Sequence, residues 1–446
     1  MHYKRLLTFI DSVSSYLSVG LDVGADFTWM SIALPNGSFV GKPFKIIHSD
    51  SRSRDLAVTK IKEAQETYSL KSRCFLESTG IYHIPLLCFL RDKGFDCSVI
   101  NPIITKNSTN INIRKLHNDK FDSKKAALVG LNVSLKTSIL PDDSVVDLRN
   151  LVRDYYYFKD LQSAVALKLT AELKVSFPAY AKVFSKVTTQ SSLRLLSSYP
   201  LPEDMLAASK EDIVDIIRST ARFGEAYALR KYDAIIAAAQ DAAVFGRALP
   251  SNAVRIRLYI DTYQEYQKHL DALLKALHET VEKQLQDTLI YDQICLLQSL
   301  RGIGFLSAVV LIAEMGNFKL FSSPKKLYAY FGLDPAVKQS GKLNGDKVHM
   351  SKRGSGLARR VLHMAALNNV KVDKGSGTPV NPVVYDYYTR KCSSKKKPVA
   401  MGAVMHKICN IIFAMLRDNK PFKSITPEEH CRRFAAEHPD KIRTVA

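Results

Sequence analysis

Asp119 and Asp122 stand three residues apart in Leu116-His117-Asn118-Asp119-Lys120-Phe121-Asp122-Ser123-Lys124-Lys125-Ala126-Ala127-Leu128. The residues after them are good helix formers, so the spacing puts both carboxylates on one face of a helix's first turn. Like charges repel there, yet the helix dipole favours anions, and a divalent cation shared with further acids would turn the repulsion to use. The plainer alternative makes Asp119 an N-cap and Asp122 a first-turn acid. Two more acids close short apolar runs, Asp22 after 16–21 and Glu77 after 73–76. Either could equally be a turn or cap residue. In the second half, Ser340 lies in Val337-Lys338-Gln339-Ser340-Gly341-Lys342, where a serine can be a nucleophile or can bond its own turn. Ser351, beside Lys352 and Arg353, competes with it and is expected to contact phosphate instead.

The acids need elements to bring them together. Residues 16–22, 27–34 and 38–47 read as three antiparallel strands, the last two joined at Pro35-Asn36-Gly37. Helices are expected over 55–67 and 81–93, and strands over 73–77 and 97–101. This is the order of an RNase H-like α/β domain, in which Asp22 and Glu77 end neighbouring central strands within reach of the Asp119 helix. After a polar break at 141–146, apolar spacing predicts a long helix to Ser176, then a helical region over 185–247. Ile256, Tyr263, Leu270 and Leu277 recur every seven residues over 253–289, the pattern of a coiled coil, within the chain or between subunits. Gly302-Ile303-Gly304 reads as a helix-hairpin-helix-like turn whose backbone N–H groups could approach a phosphate. The run from Ser351, Lys352 and Arg353 to Arg359 and Arg360 is a basic, glycine-loosened helix start. Residues 371–397 read as a mobile basic loop with Tyr385, Tyr387 and Tyr388 available for base stacking. A final amphipathic helix is expected over 398–416, with a charged, peripheral tail beyond.

Composition narrows the function classes. Lys and Arg outnumber Asp and Glu by 64 to 43 in 446 residues, a formal charge of +21, which favours a polyanionic partner and nucleic acid first. Gly302, Gly304, Lys342, Ser351, Lys352, Arg353, Arg359, Arg360 and Lys395, Lys396 and Lys397 are the expected nucleic-acid contacts. The seven cysteines show no CxxC and no zinc spacing, which fits a reducing cytoplasm. The N-terminus lacks the uninterrupted apolar run of a signal peptide, and no run approaches a membrane span. A sugar kinase built on Leu21-Asp22-Val23-Gly24 would need a second Asp-x-Gly phosphate loop, which the sequence lacks.

Gly20-Leu21-Asp22-Val23, Leu76-Glu77-Ser78-Thr79-Gly80, Val99-Ile100-Asn101-Pro102 and Asn118-Asp119-Lys120-Phe121-Asp122 together resemble the acidic set of the DEDD transposases of the IS110 insertion sequences. In the second half, Leu300-Arg301-Gly302-Ile303-Gly304, Tyr330-Phe331-Gly332-Leu333-Asp334-Pro335, Gln339-Ser340-Gly341, Ser351-Lys352-Arg353-Gly354 and the run from Lys397 to Met405 resemble that family's C-terminal transposase domain. The resemblance implies a RuvC-like DEDD domain over 16–140, a helical and coiled-coil region over 146–290, a mainly α serine transposase domain over 291–423 and a charged tail over 424–446. It implies a recombinase that cleaves and rejoins donor and target double-stranded DNA, guided by a structured non-coding bridge RNA. By the same resemblance Asp22, Glu77, Asp119 and Asp122 would hold one or two Mg²⁺, and Ser340 would form a covalent phosphoserine. The assembly would be a dimer or tetramer, working in the cytoplasm at the nucleoid without a membrane. A RuvC-like nuclease or junction resolvase, acting hydrolytically without the serine, is the main alternative, and a non-catalytic RNA scaffold a further one. Ser123 departs from the family's usual alanine, and His117 from its usual lysine.

Overall fold

The computed structural model describes residues 16–77, 81–100, 118–132, 142–220, 224–335 and 349–437, and the backbone of 339–340 and 343–344. The chain divides into two compact units, Met1–Leu140 and Pro141–Ala446.

In the first unit, β1 (Tyr16–Val23), β2 (Phe27–Ala33), β3 (Phe44–Ile47), β4 (Lys71–Glu77) and β5 (Asp96–Ile100) form one mixed sheet in the order β3-β2-β1-β4-β5. β1 pairs antiparallel with β2 and parallel with β4, while β2–β3 is antiparallel and β4–β5 parallel. Strand side chains alternate between faces. Leu17, Val19 and Leu21 of β1 and Cys74 and Leu76 of β4 therefore share one core with α1 (Ser51–Tyr68) and α2 (His83–Asp92). The other face carries α3 (Asp119–Asn132), packed chiefly on β1 and β2. The expected third strand is shortened to Phe44–Ile47, and Phe39 makes only an isolated bridge to Ala33. Gly41, at a φ of +67°, turns the chain ahead of Pro43, which has no N–H for the ladder. Helix α1 starts before the expected 55 because Asp50 caps it, its carboxylate accepting the Arg52 N–H.

The second unit is helical. Asp142 caps α4 (Asp143–Ser176), which is followed by α5 (Gln190–Ser198), α6 (Pro202–Ala207), α7 (Lys210–Thr220), α8 (Glu225–Phe245) and α9 (Pro250–Glu279). Leu277 of α9 shares a core with Leu148 and Val152 at the start of α4, and Ile256 and Ile260 share one with Leu169 and Leu173 near its end. The two helices are thus antiparallel, with Gln162 bonded to Gln267 between those ends at 2.9 Å. The sevenfold series accordingly spends Ile256, Leu270 and Leu277 on burial inside this chain.

Helices α10 (Leu289–Gln298), α11 (Phe305–Met315), α12 (Pro324–Tyr330), α13 (Gly356–Asn369), α14 (Pro382–Cys392), α15 (Lys397–Asp418) and α16 (Pro427–Glu437) follow, with the hairpin β6 (Gln339–Ser340) and β7 (Leu343–Asn344) between α12 and α13. The expected loop over 371–397 is corrected by α14. Asn381 caps it by accepting the Val384 N–H, Pro382 opens it, and Tyr387 and Tyr388 pack against the core. Among the described residues, α15 alone is long and apolar enough to cross a membrane, but Met401, Val404, Ile408 and Ile412 are buried in the unit's main core. The charged tail contains α16, and its residues 438–446 lie outside the described part.

Candidate active site

The site is built on the sheet face that carries α3. Gly20 marks the closest approach: a Cβ there would lie 2.2 Å from both the Ala127 nitrogen and the Ser123 carbonyl oxygen. The backbone of α3 therefore rests directly on β1, which only glycine permits. Three hydroxyls fix the helix along its length. Tyr16 donates to the Gly130 carbonyl at 2.7 Å, Ser18 donates to the Ala127 carbonyl at 2.6 Å, and Ser31 of β2 pairs with Ser123 at 2.8 Å. Ser123 is fully buried and also bonds the Lys120 carbonyl, so its hydroxyl ties the first turn of α3 to the sheet.

This clamp determines where the acids fall. Ser18 and Gly20 point towards α3, so Asp22, two residues further, points the same way. On β4, Phe75 joins the small core under α3, which puts Glu77 on that face as well. The parallel register pairs Leu21 with Leu76, leaving Asp22 and Glu77 at adjacent strand ends. Asp119 and Asp122 occupy the first turn of α3. Electrostatics records the convergence. Burial, and then Asp122, Asp119 and Glu77 in turn, push the Asp22 carboxyl from an ordinary 3.8 to about 7, against the opposing pull of Lys125.

Lys125, which sequence reasoning passed over, is the site's own cation: its Nζ lies 2.7 Å from Asp122 Oδ1. Its signal was the i,i+3 spacing from Asp122. Among the described residues no three Asp, Glu, His or Cys side chains stand close enough together to hold a metal ion. The donor set nevertheless fits one in kind. It consists of hard oxygen ligands with surplus negative charge, which suit Mg²⁺. Lys125 engages Oδ1 of Asp122 and leaves its second carboxylate oxygen for an ion.

The second unit treats the expected nucleic-acid residues unequally. Gly302, at a φ of +88°, has no room for a side chain, since a Cβ would come within 2.7 Å of Asn368 Cβ, so it serves helix packing. Gly304 stands ahead of α11 in open space. Ser351 donates its hydroxyl to the Asp334 carboxylate. Arg359 donates to the Phe331 and Gly354 carbonyls at 3.0 and 2.7 Å, and Arg360 pairs with Asp160 at 2.7 Å. Lys352, Arg353 and Lys395, Lys396 and Lys397 are exposed. Ser340 is placed by its backbone on β6, opposite Leu343, rather than in the polar loop expected. Lys342 and His117 lie outside the described residues.

Two family models match this chain. One described as "Transposase", of the DEDD kind, matches residues 19–178, the stretch that carries the four acids. That match makes the chain a transposase, an enzyme of DNA transposition. The second model, "Transposase IS116/IS110/IS902 family", matches residues 295–381, and the chain belongs to the IS110 family of insertion-sequence transposases. It is similar to the 42 kDa protein of insertion element IS900 from Mycobacterium paratuberculosis, with 25% identity over 315 residues, 69% of this chain and 74% of the relative. The 43.6 kDa protein of insertion element IS110 from Streptomyces coelicolor is 24% identical over 320 residues, 69% of this chain and 73% of that one. Membership implies DNA as substrate and a divalent metal such as Mg²⁺.

Proposed function

We propose that this transposase cleaves and rejoins DNA through a covalent phosphoserine, with Asp22, Glu77, Asp119 and Asp122 holding Mg²⁺ and Ser340 as the nucleophile. The observation that carries the reading is the placement of Asp22 and Glu77 at adjacent ends of β1 and β4, with Asp119 and Asp122 on the first turn of the helix laid over that face, where the other three acids raise the Asp22 carboxyl. The sheet order, with its parallel β1, β4 and β5, supports the RuvC-like form of the fold. A phosphodiester is anionic, and the bound cation would supply neutralisation of the phosphoryl oxygens and of the leaving oxygen. The carboxylates hold and orient that charge, and Lys125 balances Asp122. The Ser340 hydroxyl loses its proton to solvent, its oxygen bonds to phosphorus as the P–O bond to the deoxyribose breaks, and the departing oxygen takes up a proton from solvent. Because the phosphoserine keeps the ester bond energy, reversal onto a new strand requires no nucleotide cofactor.

The basic surface, with Lys352, Arg353 and Lys395, Lys396 and Lys397 exposed, suits DNA and a guide RNA of the bridge type. A homo-oligomer, a cytoplasmic site of action, and division of the second unit into a helical region over 146–290 and a serine domain over 291–423 with a tail belong to the same reading. Trapping the adduct tests it. Wild type with Mg²⁺ and element-end DNA should give a DNA–protein conjugate that survives denaturing electrophoresis, and Ser340→Ala should give none. Cleavage that persists in Ser340→Ala but not in Asp119→Ala would transfer the assignment to a hydrolytic nuclease.

A further inference from the structure

We propose that Trp29 and Lys120 form a base-holding element beside the carboxylates, Trp29 stacking on a nucleobase of the processed DNA strand and Lys120 contacting a neighbouring phosphate. This rests on the phosphoryl-transfer reading of the same site.

Trp29 is the chain's single tryptophan, and it is the direct cross-strand partner of Asp22 in the β1–β2 ladder. Directly opposed residues of an antiparallel pair project to the same face, so the indole stands beside the Asp22 carboxyl on the face that carries α3. Ser31, two residues along β2, confirms that face by its bond to Ser123 of α3. Trp29 is half-buried and belongs to neither of the first unit's hydrophobic clusters among the described residues. A large aromatic ring left out of the core at this place is free to offer a face to a ligand. That face carries the Lys120 ammonium, 4.7 Å from the ring centroid, and Lys120 directly follows Asp119.

A cation over a half-buried ring that keeps one face towards solvent is a weak contact that a base can displace. The released ammonium would then be one side chain away from the phosphates on either side of that base. Stacking reads no sequence, because every base has a π-face. It would fix how far a strand advances past the carboxylates while leaving the choice of sequence elsewhere.

With one tryptophan among 20 tyrosines, emission excited at the red edge, where tyrosine does not absorb, reports on this site alone. Gapped duplex DNA is titrated into wild type in Mg²⁺-free buffer, with binding followed separately by anisotropy of a fluorescein label. The expected result is quenching of Trp29 emission that saturates with binding. Trp29→Ala should weaken the affinity by about five-fold or more, and Trp29→Phe by less. Lys120→Met should reduce the slope of log affinity against log salt by about one. Unchanged emission at saturation overturns the proposal without any variant having to fold, and so does quenching by single-stranded RNA but not by DNA. Strand cleavage in Mg²⁺ with no change in emission sinks the stacking role alone. A quench without Mg²⁺-dependent cleavage supports base holding and sinks the phosphoryl-transfer reading.

Discussion

Asp22→Asn should make the protein more stable at pH 8 and no more stable at pH 4. The folded chain holds the Asp22 proton up to about pH 7, whereas the unfolded chain releases it near 3.8. Between those values the native state binds more protons, so wild-type stability falls as pH rises through the window and levels off above it. Complete removal from water would make the displacement worth about 4 kcal/mol. Asp22 is only half-buried, and solvent screening reduces this to about 1–2 kcal/mol. Asparagine never ionises, so the variant escapes the penalty and should melt about 2–8 °C higher at pH 8 in chelator. Mg²⁺ should reverse the order, because a cation bound to the ionised site stabilises wild type by mass action. Thermal melts followed by circular dichroism from pH 4 to 8, with EDTA and with Mg²⁺, measure all of this. A flat wild-type profile, or a variant that loses stability at pH 8 in EDTA, would refute the crowding of the four acids.

Other perturbations address what positions the site. Gly20→Ala drives a methyl group into the α3 backbone, so it should cost roughly 1–3 kcal/mol in urea unfolding and suppress DNA cleavage even where the protein remains folded. Ser123→Ala leaves the buried Ser31 hydroxyl without its partner and should cost about 1–3 kcal/mol, while the Ser31→Ala/Ser123→Ala pair should recover part of that loss in a double-mutant cycle. In the second unit, Arg153 holds the buried Glu314 through two bonds of 2.8 and 3.0 Å, so Arg153→Met should destabilise by about 2 kcal/mol or more, and more than Glu314→Gln, which leaves no stranded charge. Nucleic-acid affinity should fall steeply with salt, and Lys395→Ala/Lys396→Ala/Lys397→Ala should lower the slope of log affinity against log salt.

Short apolar runs and the Pro35-Asn36-Gly37 turn made the first unit legible. The apolar runs ending at Asp22 and Glu77, and the helix formers after Asp122, were sufficient to place the acids at element ends. Their convergence was not written in any one run. It depends on Gly20, Ser18 and Ser31, three small residues without periodic signal, whose role is visible only when α3 lies on them. Lys125 was hidden for a similar reason, since a lysine in a helix reads as a solvated face until its carboxylate partner is seen. Trp29 was passed over because a lone aromatic in a strand usually packs into a core. The loop expected over 371–397 failed through weighting. Its Lys, Gly and Ser content outweighed the Asn381-Pro382 helix start, a local capping signal that composition does not contain. Arg359 and Arg360 look alike in sequence, yet one is bound to backbone carbonyls and the other to Asp160.

Direct cation binding tests the central claim most closely. Mn²⁺, as a paramagnetic stand-in for Mg²⁺, can be titrated into the full chain and its free concentration read by electron paramagnetic resonance, for wild type and for Asp22→Asn, Glu77→Gln, Asp119→Asn and Asp122→Asn. The account predicts saturable binding in wild type that each substitution weakens markedly, with Mg²⁺ competing for the same sites. Equal Mn²⁺ affinity in wild type and in all four variants would contradict it.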